Sequence, residues 1–409
     1  MESSEGKEVR RVSSSKNSKE FSTRNRTVNI MVAYIEKEFK TVLNVKKFID
    51  GWFWVKYGIN PYNGCQFGCI YCDSRSAKYR LPTEFESMIL IKKNVGTMLD
   101  KRLTNARSLM PDVTGTGGTT DPYQPAEKKY ENTKQCLQVL AKHHYPVLIA
   151  TKSNLVLRDL DLLEEIGKNS WCTVGITITT TDPEKAKFLE TSAPSPQVRL
   201  DTIRCIKKQT KHVKAGVWLI PVVPFLTDSE GDLEDVVRAA KEADADFVLF
   251  GGGMTMRDMQ ANWFLKHLLE KYHNLLENYE ELYQFKYNPD TYAGQYEPSR
   301  KYSITITKKF LGIAEKYKIP IRMKRYIPQD FRRDNYAIAE KLLNDAYHLQ
   351  IQGKAFSSKF WAGQNIQNLK EPISNFMKRG ELQKIRSVND EVESLIREYF
   401  KSLPQDLCS

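Results

Sequence analysis

Short apolar runs alternate with amphipathic helical stretches through the middle of the chain, and this alternation constrains the fold more than any other feature. The runs are rich in branched or apolar residues, as buried parallel strands require. They span 88–91, 112–116, 147–151, 172–178, 216–222 and 247–250. Stretches with apolar positions three and four residues apart lie between them, at 127–142, 160–168, 196–208 and 233–243. The pattern predicts an α/β fold of parallel strand–helix units, closed or partly closed as a barrel, with a site at the carboxyl ends of the strands.

A short loop holds three of the seven cysteines of the 409-residue chain, with the spacing C-x3-C-x2-C. They are Cys65, Cys69 and Cys72. Three thiolates on one loop indicate a metal centre. An iron–sulfur cluster usually binds four cysteine thiolates, so a cluster held by these three would keep one iron open to an outside ligand. Zinc with a histidine is the alternative, although the nearest histidines, His143 and His144, lack ligand-like spacing to the loop. The odd cysteine count argues against a disulfide framework and favours a reducing compartment.

The composition fits a protein with a large core and no membrane anchor. Hydrophobic residues make up 41% of the chain, and no apolar run approaches the roughly 18 residues that span a bilayer. We therefore expect a cytoplasmic protein that is neither embedded in a membrane nor secreted. The net charge of +12 favours polyanionic partners, nucleic acid first. Residues 1–28 are basic and serine-rich with almost no aromatic side chains, which predicts a disordered tail.

The last third of the chain carries helical patterns and basic residues. Patterns at 263–283 and 335–350 predict packing helices. One basic cluster is either a solvated face or a groove that steers an acidic substrate, and it comprises Arg322, Lys324, Arg325, Arg332 and Arg333. Aromatic residues adjoin it at Tyr326 and recur at Phe360-Trp361, a combination that suits either base stacking with phosphate binding or a packed cap.

Small and polar residues follow the candidate strands, where a ligand site is expected. Residues 115–121 combine glycines, which let a ligand approach the backbone, with hydroxyl groups, or they form a plain turn. Lys152 follows the third strand and suits a carboxylate. Thr177, near the end of the fourth strand, is either a ligand contact or a packing residue. Arg199 either holds a carboxylate through its planar fork or lies on the surface of a helix.

The cysteine loop and its surroundings resemble the radical S-adenosylmethionine (radical SAM) enzymes, and within them the branch of spore photoproduct lyase and its uncharacterised relatives. The motif NPYNG at 60–64 precedes the cysteines, and DSR at 73–75 follows them. Further motifs continue the resemblance in order; they are TDPYQPAE at 120–127, TKS at 151–153, APSP at 193–196 and PVVP at 221–224. These matches cover residues 28 to 260.

The resemblance implies a partial (β/α)6 barrel of the TIM type at 29–260. A disordered basic tail at 1–28 would precede it, and a mainly helical carboxyl-terminal extension or cap at 261–409 would follow. The implied cofactors are a [4Fe–4S] cluster, held by the three loop cysteines, and SAM, which chelates the open iron. A reductant such as a flavodoxin or ferredoxin is the implied electron donor.

The resemblance also implies contacts to SAM. The candidates for holding it are Thr119, Thr120, Asp121, Lys152, Ser153, Thr177 and Arg199. By resemblance the first three meet the amino group of SAM, Lys152 meets its methionine carboxylate, and Thr177 lies near its ribose. Tyr71, between the second and third cysteines, lies close to SAM and is the catalytic candidate, with a packing aromatic as the alternative.

Two departures separate this chain from the lesion-repairing lyases. Their hydrogen-donating cysteine aligns with Gly118, and the tyrosine after their third cluster cysteine aligns with Asp73. Cys136 and Cys172 are expected to pack in the core rather than to replace the donor. The resemblance therefore implies a radical SAM enzyme, lyase or transferase in type, that forms a 5′-deoxyadenosyl radical. It does not identify the substrate, for which nucleic acid is slightly favoured. The alternative is a metal-stabilised nucleic-acid-binding protein without SAM cleavage.

Overall fold

The computed structural model describes residues 32–82 and 84–403. The tail predicted at 1–28 and the seventh cysteine, Cys408, lie outside the described residues. Within the described ranges, no helix is both long enough and apolar enough to cross a membrane.

The main sheet consists of parallel strands with one antiparallel strand at its edge. The strands of the described residues are β1 (Ala33–Lys37), β2 (Leu43–Val45), β3 (Tyr57–Ile59), β4 (Tyr62–Asn63), β5 (Met88–Lys92), β6 (Thr114–Thr116), β7 (Val147–Thr151), β8 (Cys172–Thr177), β9 (Val213–Leu219) and β10 (Val248–Phe250). The main sheet has the order β10-β9-β8-β7-β6-β3-β2, in which β2 alone runs antiparallel to its neighbour. Every residue of β7 and β8 is buried, as in a parallel sheet covered on both faces. The predicted α/β class with a parallel sheet is confirmed.

Helices connect the parallel strands and make up the carboxyl-terminal part. They are α1 (Val95–Thr104), α2 (Glu127–Tyr130), α3 (Asn132–Lys142), α4 (Leu160–Asn169), α5 (Pro183–Leu189), α6 (Pro196–Gln209), α7 (Glu230–Glu242), α8 (Asp258–Tyr272), α9 (Leu276–Tyr283), α10 (Arg300–Lys316), α11 (Arg333–Ile351), α12 (Ser357–Gln367), α13 (Ile373–Lys378) and α14 (Asp390–Ser402). The starts of α5, α6 and α7 are capped by Asp182, Ser195 and Ser229, whose side chains accept hydrogen bonds from first-turn N–H groups.

One predicted strand lies outside the main sheet. Residues 88–91 fall in β5, which pairs with β1 and β4 in a separate three-stranded sheet. The placement of this run among the strands of the barrel is wrong, because the parallel neighbours of β6 are β3 and β7. With three residues, β3 is too short to show a hydrophobic pattern. The predicted strand 216–222 ends at Leu219, ahead of Pro221, which has no N–H for the ladder.

The core between sheet and helices takes up two cysteines. Cys136 on α3 and Cys172 on β8 are at most 1% exposed and belong to the main apolar cluster, with Leu137 and Val174 among its members. Their predicted packing role is confirmed.

The carboxyl-terminal helices cover the amino end of the main sheet. Leu148 and Leu249, from two parallel strands, share an apolar cluster with Trp54 and with Met323, which precedes α11. The five residues of the basic cluster do not form one surface. Neither a solvated face nor a groove for an acidic substrate therefore describes the cluster. Its buried members are Arg322, Arg325 and Arg332, and its exposed members are Lys324 and Arg333.

The buried arginines of this region stack on aromatic rings. The guanidinium carbon of Arg325 lies 4.1 Å from the ring centroid of Tyr336 and 5.2 Å from that of Trp54. Arg322 lies 4.6 Å from Trp54. Burial lowers the pKa of Arg325 and lowers that of Arg322 to about 10. These residues serve packing rather than attraction of a substrate.

Candidate active site

A cavity of about 270 Å³ opens at the carboxyl ends of the parallel strands. The three loop cysteines line it together with residues that follow or end β6, β7, β8, β9 and β10. The predicted site residues in its wall are Tyr71, Thr119, Thr120, Asp121, Lys152 and Thr177. The apolar part of the wall includes Phe67, Phe85, Trp218, Ile220 and Met254. Parallel strands present their carboxyl ends at one edge, and this brings together loops that are distant in sequence.

Two predicted site residues, Ser153 and Arg199, lie outside the lining of the cavity. The hydroxyl of Ser153 accepts a hydrogen bond from the N–H of Leu155 at 3.2 Å, and its own N–H donates to Thr151 Oγ1 at 2.9 Å. Ser153 therefore fixes the turn after β7 and the start of the 3-10 helix Asn154–Asp159.

Glycines and backbone hydrogen bonds shape the cysteine loop. Gly64 and Gly68 have φ values of +85° and +60°, which L residues with a Cβ rarely adopt. A Cβ on Gly64 would also lie 2.5 Å from the carbonyl oxygen of Met88. The N–H of Cys65 donates to the carbonyl of Phe85 at 2.9 Å. The loop is thereby tied to the segment that leads into β5.

The loop after β6 holds the cysteine loop from its other side. The hydroxyl of Thr120 donates to the carbonyl of Gly64 at 2.6 Å, and Gln124 Nε2 donates to the same carbonyl at 3.1 Å. The N–H of Gln66 donates to Gln124 Oε1 at 3.0 Å. Thr120 therefore uses its hydroxyl to position the cysteines. Gln124 has the same task and was missed from the sequence, although it stands in the TDPYQPAE motif.

Asp121 ties the end of β6 to the end of β7. Its carboxylate accepts hydrogen bonds from Thr151 Oγ1 at 2.6 Å, from the N–H of Lys152 at 2.8 Å and from the N–H of Tyr123 at 2.9 Å. Burial raises the pKa of Asp121. These contacts set the position from which Lys152 enters the cavity wall.

The two adjacent glycines of the loop after β6 differ in the space around them. Gly117 has φ +90°, and a Cβ there would lie 2.3 Å from the carbonyl oxygen of Ala150. A Cβ on Gly118, in contrast, would meet nothing within 4 Å. Gly117 is therefore needed for close packing, whereas Gly118 and Thr119 leave room for a ligand to approach the backbone.

A buried carboxylate that sequence reasoning missed, Glu190, lies behind the wall. It accepts a hydrogen bond from the hydroxyl of Tyr71 and pairs with Arg199 Nη1 at 2.5 Å. Lys152 Nζ lies 3.9 Å from Glu190 Oε1, and Thr179 Oγ1 donates to the same oxygen at 3.3 Å. One carboxylate thus joins three residues that were predicted separately.

The charges of this group keep Glu190 ionised. Although burial opposes ionisation, Arg199 and Lys152 hold the pKa of Glu190 below its ordinary value. Burial, with Glu190 beside it, raises the pKa of Tyr71 well above its ordinary value, so the phenol stays protonated and donates. The sequence pattern could not reveal Glu190, since a glutamate after a short helix is most often exposed.

Arg199 is 1% exposed, so the surface position that was its alternative is wrong. Its Nε donates to the carbonyl of Pro194 at 2.7 Å, and its Nη1 donates to the carbonyl of Thr177 at 3.1 Å. The carboxylate that it holds is that of Glu190. Arg199 therefore does not line the cavity but positions residues of its wall, through its pair with Glu190 and its hydrogen bond to the end of β8.

Helix α8 clamps the cysteine loop from outside the sheet. Gln260 Nε2 donates to the carbonyl of Tyr71 at 3.1 Å. Arg257, the residue before the helix, makes a bidentate pair with Asp73, with its Nε 2.8 Å from Asp73 Oδ1. Asp73 itself lines the cavity. Asp73, which aligns with a tyrosine of the lyases, thus anchors the cysteine loop.

The donor set fits an iron–sulfur cluster better than a single ion. Among the described residues, no three histidine, cysteine or acidic side chains converge closely enough to hold one metal ion. The thiolates of a cubane cluster bind separate irons and need only face a shared space, as Cys65, Cys69 and Cys72 line this cavity. Burial raises the pKa of Cys65, and it raises that of Cys69 to about 12, so thiolates here require adjacent positive charge such as iron.

Comparison with protein families gives a match to the radical SAM superfamily over residues 59–232. An uncharacterised protein of Mycobacterium tuberculosis is 31% identical over 233 residues, which are 56% of this chain and 67% of that protein. An uncharacterised protein of Methanocaldococcus jannaschii is 29% identical over 258 residues, which are 63% of this chain and 88% of that protein.

Solved structures of spore photoproduct lyase share the fold. One mutant of that enzyme superposes with a TM-score of 0.53 at 15% identity, over 69% of this chain and 79% of the other. Another, with AdoMet and dinucleoside spore photoproduct bound, gives 0.51 at 14% identity over the same shares. At these identities the likeness concerns the fold alone.

The family match decides between the two function classes that the sequence left open. The metal-stabilised protein without SAM cleavage is set aside, because the matched region contains the cysteine loop and the lining segments that follow or end β6, β7, β8 and β9. The chain belongs to the radical SAM superfamily, and it is accordingly an enzyme that uses a [4Fe–4S] cluster and SAM.

Proposed function

We propose that the enzyme cleaves SAM reductively in this cavity and directs the resulting radical at a substrate admitted through the same opening. When bound, the reduced cluster supplies the electron that converts SAM to methionine and a 5′-deoxyadenosyl radical. One observation carries the proposal: Cys65, Cys69 and Cys72 line one cavity with the strand-end residues 117–121 and 151–152.

Three parts of the wall would hold SAM. The open backbone at Gly118 and Thr119 suits its amino end. Lys152, kept in place by Glu190, offers positive charge to the methionine carboxylate. Thr177 lies in the wall at the end of β8, where the ribose is expected. Thr120 would act by fixing the cysteine loop, and Asp121, Ser153 and Arg199 would act by fixing the ends of β7 and β8.

Tyr71 would shape the site and exclude water. Its ring is part of the wall, and Lys152 Nζ lies 5.6 Å from the ring centroid. Its hydroxyl donates to Glu190, so any transfer of hydrogen from Tyr71 would first have to break this bond. With Phe67 and Phe85, the ring gives the cavity an apolar side that protects a reactive radical.

The proposed substrate class is nucleic acid, ahead of a peptide or small molecule. The net charge of +12 favours a polyanion. The position that aligns with the hydrogen-donating cysteine of the lyases is Gly118, and the cysteines that line the cavity, among the described residues, are the three of the loop. The proposal therefore covers radical generation in a lyase or transferase type of reaction, and it does not extend to lesion repair. A cytoplasmic flavodoxin or ferredoxin is the proposed reductant.

Anaerobic reconstitution with iron and sulfide, followed by reduction and addition of SAM, tests the proposal. Chromatography should detect 5′-deoxyadenosine from the wild type and none from Cys69→Ala. Cys205→Ala, which removes a partly exposed cysteine outside the cavity, is the matched control and should retain the activity. Formation by Cys69→Ala at the wild-type rate would sink the assignment of the loop.

A further inference from the structure

A groove with two cavities lies at the opposite end of the main sheet. Strand β2 runs antiparallel to β3 with Val45 opposite Tyr57, the first residue of β3. The segment after β2 therefore begins at the amino ends of the parallel strands. Residues 46–52 of this segment form, with α12, a groove whose cavities measure about 380 and 240 Å³. The cysteine loop follows the other end of β3, so the groove is remote from the active site.

Aromatic side chains form the wall of this groove. Phe48 and Trp361 line both cavities and stand between them. They are 39% and 45% exposed, unlike the aromatic residues of the core. Trp361 packs edge-on against Phe48 and Phe360, with centroids 5.9 and 5.2 Å apart. The other aromatic residues that line the larger cavity are Trp52, Phe356 and Phe360.

Positive charge flanks the aromatic wall. Lys46 lines the larger cavity and Arg386 the smaller, and Lys47 Nζ lies 5.4 Å from the ring centroid of Phe48. Of the described residues in either lining, Asp50 alone is acidic. Its carboxylate already accepts hydrogen bonds from the N–H groups of Trp52 and Phe53, each at 2.9 Å, and from Lys46 Nζ at 3.4 Å. The groove thus combines exposed aromatic rings with a net positive rim.

We propose that this groove binds single-stranded nucleic acid, with bases stacked on Trp361 and Phe48 and phosphates held by the cations of the rim. Base stacking on aromatic side chains tolerates any sequence, and cations along a groove follow the phosphate backbone. A single strand is favoured over a duplex because a duplex keeps the faces of its bases covered. The groove anchors a strand away from the active site, so this inference goes beyond the proposed function and does not depend on it.

Fluorescence anisotropy with labelled oligo(dT) and oligo(U) of about 12 nucleotides, within the usual range of site sizes, tests the proposal on the full chain. Trp361→Ala should raise Kd about tenfold, the effect of losing one stacked base. Phe331→Ala removes a phenylalanine that is 38% exposed and outside the groove, and it should leave Kd unchanged. The basic residues 1–28 are the same in all variants, so the difference reports the groove. The two oligonucleotides distinguish DNA from RNA as the preferred strand.

Two further measurements keep the test decisive. Arg386→Gln should lower the slope of log Kd against log salt by about 0.7, as expected for one lost phosphate contact. Trp361→Phe, which retains a ring, should recover most of the affinity if the alanine variant folds poorly.

The inference is overturned if Trp361→Ala binds as wild type does, if Phe331→Ala loses as much affinity, or if a duplex of the same length binds more tightly than the single strand. It is also overturned if Trp361→Ala changes only self-association in sedimentation, because the groove would then bind a second copy. Formation of 5′-deoxyadenosine from SAM alone should be equal in Trp361→Ala and wild type, so failure here is separable from failure of the proposed function.

Discussion

Two buried arginines, one at each end of the main sheet, have different partners. At the carboxyl end, Arg199 pairs with Glu190 at 2.5 Å. At the amino end, Arg325 lies against the rings of Tyr336 and Trp54, and neither of its terminal nitrogens has a hydrogen-bond partner among the described residues. In barrels of parallel strands, the carboxyl end carries the reaction and the amino end contributes stability. Buried charge alone therefore does not mark a functional site, and its partners must be known.

The largest effect should come from breaking the pair at the carboxyl end. Arg199→Met leaves the Glu190 carboxylate buried without its main partner, and we expect a loss of about 3–5 kcal/mol in the free energy of unfolding. Denaturant unfolding measures it. Arg204→Met, which breaks an exposed pair with Asp201 on the same helix, is the control and should cost at most about 1 kcal/mol. Equal losses in the two variants would contradict the assigned role of Glu190.

Two adjacent glycines at the carboxyl end have different roles, one in packing and one in leaving space for a ligand. Gly117→Ala forces a Cβ to 2.3 Å from a backbone oxygen at φ +90°, and it should cost about 1–3 kcal/mol in thermal unfolding. Gly118→Ala should change stability by at most about 0.5 kcal/mol, because its Cβ meets nothing within 4 Å. It should nevertheless weaken SAM binding, measured by equilibrium dialysis. Unchanged SAM affinity in Gly118→Ala would move SAM away from this part of the wall.

The amino end should tolerate the loss of its arginine. Arg325→Met removes two cation–π contacts, but it also removes two buried nitrogens that lack partners among the described residues. These effects oppose each other, so we expect a change of at most about 1 kcal/mol. Denaturant unfolding beside Arg199→Met makes the comparison direct. A loss as large as that of Arg199→Met would contradict the stated difference between the two arginines.

Lowering the pH should have opposite effects on the stability contributions of two buried carboxylates, Glu190 at the carboxyl end of the sheet and Asp112 at the amino end. Burial opposes its ionisation, yet Arg199 and Lys152 hold the pKa of Glu190 below the ordinary 4.5, so its stabilisation is present above about pH 4.5 and is lost as pH falls through the folded pKa. Burial raises the pKa of Asp112 above 3.8, so its contribution grows as pH falls toward that value.

Urea unfolding between pH 7 and pH 4 checks this contrast. Glu190→Gln should flatten the loss of stability at the acid end of the range, whereas Asp112→Asn should steepen it. Each variant serves as the control for the other, since both replace a buried carboxylate by an amide. Parallel pH profiles would contradict the opposite shifts.

The place of the site could be predicted because its residues follow long apolar strands. The runs that became β7 and β8 have five and six buried residues. Lys152, directly after β7, and Thr177, the last residue of β8, lie in the wall as the strand order requires. Strand β3 could not be predicted, since its three residues show no period.

Long-range partners also stayed hidden in the sequence. Glu190 and Gln260 look like ordinary polar residues near helix ends, and their contacts to Tyr71 arise only when helices 119 and 189 residues away pack on the cysteine loop. The basic cluster misled for a related reason. Pattern alone does not distinguish an arginine on the surface from one such as Arg322, which is buried against the ring of Trp54.

The central claim is that the cavity at the carboxyl ends holds a cluster with an iron open to SAM. Electron paramagnetic resonance of the reduced, reconstituted protein, recorded before and after addition of SAM, tests this claim most directly. The account predicts a cluster signal that SAM changes in the wild type, and the loss of that response in Cys69→Ala. A wild-type cluster signal that SAM leaves unchanged, or the same response in Cys69→Ala, would contradict it.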